Sequence, residues 1–181
     1  MKHSAIIYAL ILAFMAVSCT KEAQKTLYEK QEKLIENFVN AQLSANEEAE
    51  VVYNGGSVRV IVAAGDSEDT LSSDGTVSFY YAGYTLSGTA VSQSNLFATN
   101  REDIASGWDL SVEDAFEPVI LKLDEASLVE GLRTGLKGVR TGEECYILFN
   151  SKHGYGDKAY GTIPAHAALV YRIWVNSIEN N

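Results

Sequence analysis

The chain is short of the residues that usually announce chemistry. Its 181 residues hold two cysteines, three histidines, and 14 Lys and Arg against 24 Asp and Glu. Two cysteines cannot build a disulfide framework. The histidines, His3, His153 and His166, stand far apart, whereas a metal site needs three or four ligands at workable spacing, so no metal is expected. A net charge of −10 excludes nucleic acid as a partner, because phosphate binding needs clustered Lys and Arg. It equally argues against adsorption to anionic lipid through protein charge. No glycine-rich phosphate loop is present, since Gly131, Gly135 and Gly138 lie in or after a predicted helix rather than before one. Internal repeats and low-complexity segments are also missing, and no cofactor is implied.

What remains is the composition of a soluble globular protein, 46% apolar and 21% charged. Cys145 alternates with Ile147 and Phe149 in an apparent strand, which makes it a small core hydrophobe. A nucleophilic cysteine wants a histidine and positive surroundings, but its neighbours are Glu143 and Glu144.

The first residues have a character of their own. Lys2 and His3 precede an apolar run, Ala5 to Val17, that is too short for a spanning helix and fits an export signal. The end of that run, Ala16-Val17-Ser18-Cys19, resembles the lipobox of bacterial lipoproteins. That resemblance implies removal of residues 1–18 as a signal peptide, a lipid on Cys19, and a lipid-anchored place in the bacterial cell envelope. An ordinary secretory signal with an incidental cysteine is the other reading.

Residues 19–50 read as a short tether, Thr20 to Gln24, followed by an amphipathic helix. Thr26 and Glu29 fit a capping box. Leu27, Leu34 and Phe38, flanked by Tyr28, Ile35 and Val39, form an apolar stripe, with Leu43 off it. The stripe is expected to pack on the domain that follows, with pairing of two such helices into a homodimer as the alternative. Residues 51–181 switch to strand patterns at 51–53, 58–62, 76–86, 119–121, 144–150 and 169–178. A turn falls at Asn54-Gly55-Gly56, a loop at 65–75, and an insertion around Trp108 at 101–117. One helix is predicted between Ala126 and Lys137, ended by Gly138. Five or six antiparallel strands and a single short helix make an α+β domain.

Three blocks then stand in one order. They are Leu128-Val129-Glu130-Gly131-Leu132 through Gly142, then Gly154-Tyr155-Gly156, then Gly161-Thr162-Ile163-Pro164-Ala165-His166-Ala167-Ala168-Leu169-Val170-Tyr171. Together they resemble the C-terminal half of the FKBP-type peptidyl-prolyl isomerases, and Tyr80-Tyr81-Ala82-Gly83 resembles that family's H-Y-x-G strand. The resemblance covers about residues 76–178. It implies an FKBP-like sheet wrapped on a short helix, with Tyr81, Phe97, Val129, Leu132, Tyr155 and Tyr171 as the catalytic set. Val119 and Ile163 are the further substrate-binding residues it implies. The implied substrates are X-Pro bonds of proline-containing polypeptides, here of exported proteins. Three positions differ from the family's pattern: Phe97-Ala98-Thr99-Asn100 stands for F-D-S-S, Leu132 for a tryptophan, and Pro164-Ala165 for a proline pair. Trp108 and Asp109 are candidates to fold over the site. Two readings follow, a folding isomerase or a catalytically weak peptide-binding or chaperone lipoprotein on the same scaffold.

Overall fold

The computed structural model describes residues 2–105 and 116–180, with side chains from residue 21 onward. Helix α1 spans Lys2–Ala45 and is followed by β1 (Glu50–Asn54), β2 (Ser57–Ala63), β3 (Thr76–Thr85), β4 (Leu96–Thr99) and β5 (Val119–Lys122). Helix α2 (Glu130–Leu136), β6 (Glu144–Phe149) and β7 (Leu169–Glu179) complete the chain. The strands form one antiparallel sheet in the order β1-β2-β6-β7-β3-β4, with β5 also paired to β3. The α+β expectation stands, with seven strands instead of five or six. The additional one is β4, whose four residues are too few to show an alternating pattern.

Side chains alternate across a strand, so each strand feeds two cores. Cys145, Ile147 and Phe149 of β6, with Tyr171, Ile173 and Val175 of β7, face the layer that holds Leu132 and Leu136 of α2. Tyr146 and Leu148 of β6, with Val170 of β7, face the opposite layer, where Ile35, Phe38 and Val39 of α1 cover them. Phe38 is fully buried and meets the Tyr146 ring edge-on, with centroids 5.2 Å apart. The part of the α1 stripe from Leu34 to Val39 is thus spent on the sheet, as the packing reading expected. Gln31 fastens the same helix: its Oε1 accepts from the Ser151 N–H at 2.8 Å, and its Nε2 donates to the His166 carbonyl at 2.6 Å.

The expected tether and helix start differ from what is found. Residues 21–45 continue the helix without a break. Thr26 Oγ1 does not cap a free N–H but donates to the Glu22 carbonyl at 3.0 Å, because the helical turn before it already uses those donors.

Helix α2 is shorter than expected, since Val129 is extended (φ −59°, ψ 139°) and precedes the first helical residue. Seven residues do not hold a helix in water alone. Its stability comes from β1 and β2, which supply donors to its carbonyls. Ser57 Oγ donates to Gly131 O at 2.6 Å and Asn54 Nδ2 to Thr134 O at 3.0 Å. Arg59 Nη1 reaches Gly135 O at 3.1 Å and Lys137 O at 2.8 Å, and its Nη2 reaches Gly138 O at 3.0 Å. The Arg59 Nε stands 3.3 Å from a carboxylate oxygen of the buried Glu143. Burial nevertheless raises the Glu143 carboxyl above its ordinary value, the Arg59 charge opposing it. The helix also approaches closely, for a methyl on Gly131 or Gly135 would fall 2.2 Å from Phe149 or Ile147.

Candidate functional site

On the α2 face the sheet and helix leave a hollow of about 360 Å³. The eight residues expected at the site, Tyr81, Phe97, Val119, Val129, Leu132, Tyr155, Ile163 and Tyr171, all line it. They arrive from different elements. Strand β3 brings Tyr81, β4 Phe97, β5 Val119 and β7 Tyr171. Val129 stands at the start of α2 and Leu132 in its first turn, while Tyr155 and Ile163 come from the connection between β6 and β7.

Tyr171 is buried at the centre of the wall. Its ring stacks on Phe149 at 5.9 Å, meets Phe97 edge-on at 5.6 Å and is tilted against Tyr81 at 6.4 Å. This packing explains Gly83, which pairs with Tyr171 in the sheet. A methyl there would lie 2.6 Å from the Phe97 ring and 3.0 Å from Tyr171, so only hydrogen lets the rings meet. At the mouth, Tyr155 stacks on Tyr160 with centroids 4.7 Å apart and planes 2° from parallel. The Tyr160 and Ile163 backbones exchange two 2.9 Å hydrogen bonds, which turns the loop tightly and drives Ile163 into the hollow.

Among the described residues the lining holds no Lys, Arg, Asp or Glu. Its polar groups are few. Burial pushes the Tyr171 hydroxyl far above the ordinary tyrosine value, helped by the nearby Tyr155 and a hydrogen bond with it. Tyr81 is raised for the same first reason, burial, and then by Tyr155. Both therefore stay neutral at physiological pH. Among the described residues, no protein group accepts a hydrogen bond from the Val129 N–H, which stands before the first turn of α2. As far as the described residues form it, the site is an uncharged, aromatic-walled recess with tyrosine hydroxyls and a backbone donor.

The sequence reading missed Phe79 and Tyr160 in the lining. Phe79 had a signal, because it sits two residues before Tyr81 on one strand and so shares its face. Tyr160 had none. Also missed was the anchoring of the Tyr81 backbone. Asn100 Oδ1 accepts from the Tyr81 N–H at 2.6 Å, and Thr99 Oγ1 donates to the Tyr81 carbonyl at 2.7 Å. These two residues stand where the family pattern has serines, beside Ala98, which adds a methyl to the wall in place of a carboxylate. Leu132 supplies an apolar surface where the pattern has tryptophan. Trp108 and Asp109 lie outside the described residues. Cys145 is fully buried, and burial raises its thiol well above the ordinary value, as suits a core residue and not a nucleophile.

The family model of the FKBP-type peptidyl-prolyl cis-trans isomerases matches residues 68–176. The chain belongs to this family. Among curated relatives, FK506-binding protein 1 of Aspergillus oryzae is 25% identical over 118 residues, 65% of this chain and 94% of the fungal protein. The isomerase FkpA of Buchnera aphidicola is 24% identical over 164 residues, covering 88% of this chain and 56% of its own length. Mouse FKBP10 is 31% identical over 106 residues, 58% of this chain and 15% of that protein. The structure of the three FKBP domains of wheat FKBP73 superposes with a TM-score of 0.57 at 16% identity, covering 74% of this chain and 52% of that one. That likeness shows the fold. The FKBP-type match begins at residue 68, yet the strands that hold α2 in place, β1 and β2, lie before it.

Proposed function

We propose that this chain catalyses cis–trans isomerisation of X-Pro bonds in polypeptides. The observation that carries the reading is the aromatic recess, which among the described residues has no charged lining and leaves the Val129 N–H without a protein acceptor. Turning an imide through 90° costs about 18–20 kcal/mol in water because resonance is lost. The twisted bond is less polar than the planar one, so a water-poor wall of Phe97, Tyr81 and Tyr171 favours it over the ground state. A donor on each side holds the flanking carbonyls, the Val129 N–H on one and the Tyr155 hydroxyl on the other. No proton, metal or nucleophile is required, so the tyrosines act as neutral groups throughout.

A protease-coupled assay with a prolyl tetrapeptide tests this. Accelerated isomerisation is expected, with Tyr155→Phe lowering kcat/KM about five- to tenfold, the worth of one hydrogen bond. A rate equal to buffer alone would reject catalysis. It would favour the second reading, a peptide-holding module, which Ala98 and Leu132 motivate by replacing a carboxylate and a tryptophan.

We further propose that the protein is exported and lipid-anchored through Cys19, with residues 1–18 removed, and serves exported clients in a bacterial envelope. The support is the Ala16-Val17-Ser18-Cys19 sequence after an apolar run. Fatty-acid labelling of the wild type and of Cys19→Ala in a bacterial host tests it: equal labelling of both would end the proposal.

A further inference from the structure

A second hollow, of about 490 Å³, lies between α1 and the β1–β2 turn and, among the described residues, shares no lining residue with the prolyl recess. Its floor is apolar, built from Ile35 and Val39 of α1 and Val58 of β2. One rim carries Glu32 and Glu36, a helical turn apart and both exposed. The other is Tyr53, 75% exposed, on an edge strand that has no outer neighbour among the described residues. Among the described residues no Lys or Arg lines the hollow, and its His153 turns Nδ1 toward Glu130, 3.3 Å from a carboxylate oxygen.

We propose that this cleft is a second peptide-binding site, for an extended segment that carries a lysine or arginine beside an aliphatic side chain and needs no proline. The two carboxylates select the cation, while Val39 and Val58 take the aliphatic group. An edge strand offers backbone groups to an extended chain, which favours a peptide over a compact ligand. A second copy of this chain is a poor occupant, because it brings a net charge of −10 to a negative rim. A client held here presents its neighbouring prolines to the other recess at raised effective concentration.

The test uses the full chain and a labelled, acetylated, proline-free hexapeptide that alternates lysine with leucine. Saturable binding is expected, with amide shifts at residues 54–58 and no displacement by excess prolyl tetrapeptide. The double substitution Glu32→Gln with Glu36→Gln should weaken it roughly three- to tenfold at low salt. Tyr53→Ala, at an exposed position, should weaken it independently, and neither variant should change the isomerase rate on a short prolyl peptide. A glutamate–leucine peptide should not bind. The proposal fails if the lysine peptide shows no saturable binding, if the prolyl tetrapeptide displaces it, or if the Gln variants bind it unchanged. Because the isomerase assay is separate, loss of this site leaves the catalytic reading untouched, and the reverse.

Discussion

Replacing Asn100 by alanine should cost far more than a half-exposed loop asparagine normally does. Asn100 is 5% exposed. Its Oδ1 accepts from the Tyr81 N–H at 2.6 Å, and its Nδ2 donates to the Glu117 carbonyl at 2.8 Å and to Phe79 O at 3.4 Å. The last contact is long and contributes little. The substitution therefore strands the Tyr81 N–H, whereas the carbonyl of the exposed Glu117 can turn to water. One unsatisfied buried group costs about 1–3 kcal/mol, and a loss of that size is expected. For a chain of this size that lowers Tm by roughly 2–12 °C. Urea denaturation followed by tyrosine fluorescence measures the loss, and amide exchange at Tyr81 locates it. Thr99→Val is the control. It removes the 2.7 Å bond to the Tyr81 carbonyl, which keeps a 3.2 Å bond from the Asn100 N–H, and the 3.1 Å bond accepted from the Arg101 N–H, so about 1 kcal/mol should go. If Asn100→Ala costs under about 1 kcal/mol and Tyr81 stays protected from exchange, this anchoring is not what holds the recess wall.

Three other outcomes are expected. Burial raises Tyr81, Tyr84, Tyr146 and Tyr171 above the ordinary tyrosine value of 10.0. The unfolded chain then ionises first, so stability present below pH about 10 should fall as pH rises beyond it. Tyr171→Phe should make that fall shallower in denaturation profiles between pH 8 and 11. Arg59→Met leaves Glu143 buried without its partner and three carbonyls without a donor, and should cost about 3–5 kcal/mol in urea unfolding. Adding Glu143→Leu should recover part of it. Phe38→Ala, at a fully buried position, should cost about 3–5 kcal/mol if α1 belongs to the folded unit, and near zero if it were a detached spacer.

The recess was legible because its residues sit on motifs whose order survives in sequence: Tyr81 before Gly83, Val129 before Leu132, Tyr155 between glycines, Ile163 before Pro164. Strand faces were legible from alternation, as in Cys145, Ile147 and Phe149. Boundaries were harder. Thr26 with Glu29 looks like a helix start, but capping needs a free N–H, and the helix that continues upstream leaves none. The Ala126–Lys137 segment carries helical spacing throughout, yet Val129 adopts an extended ψ that postpones α2 to Glu130. Leu96–Thr99 pairs with β3 through only three register pairs, too short for a pattern. The buried Arg59–Glu143 pair had no signal at all. Charged residues normally read as surface, and their distant positions meet only once β2 and the turn before β6 are in place.

Residue 68, where the shared FKBP-type region starts, is a poor place to begin a minimal fragment. Such a cut discards β1 and β2, bares one side of β6, and leaves the carbonyls of α2 facing nothing. Starting at residue 50 keeps those strands but still loses Gln31, which bridges Ser151 to the carbonyl of His166, just beyond the mouth loop. A truncation intended to isolate the active part would therefore report on a damaged one. The shortest faithful fragment starts ahead of Leu27, inside the long N-terminal helix.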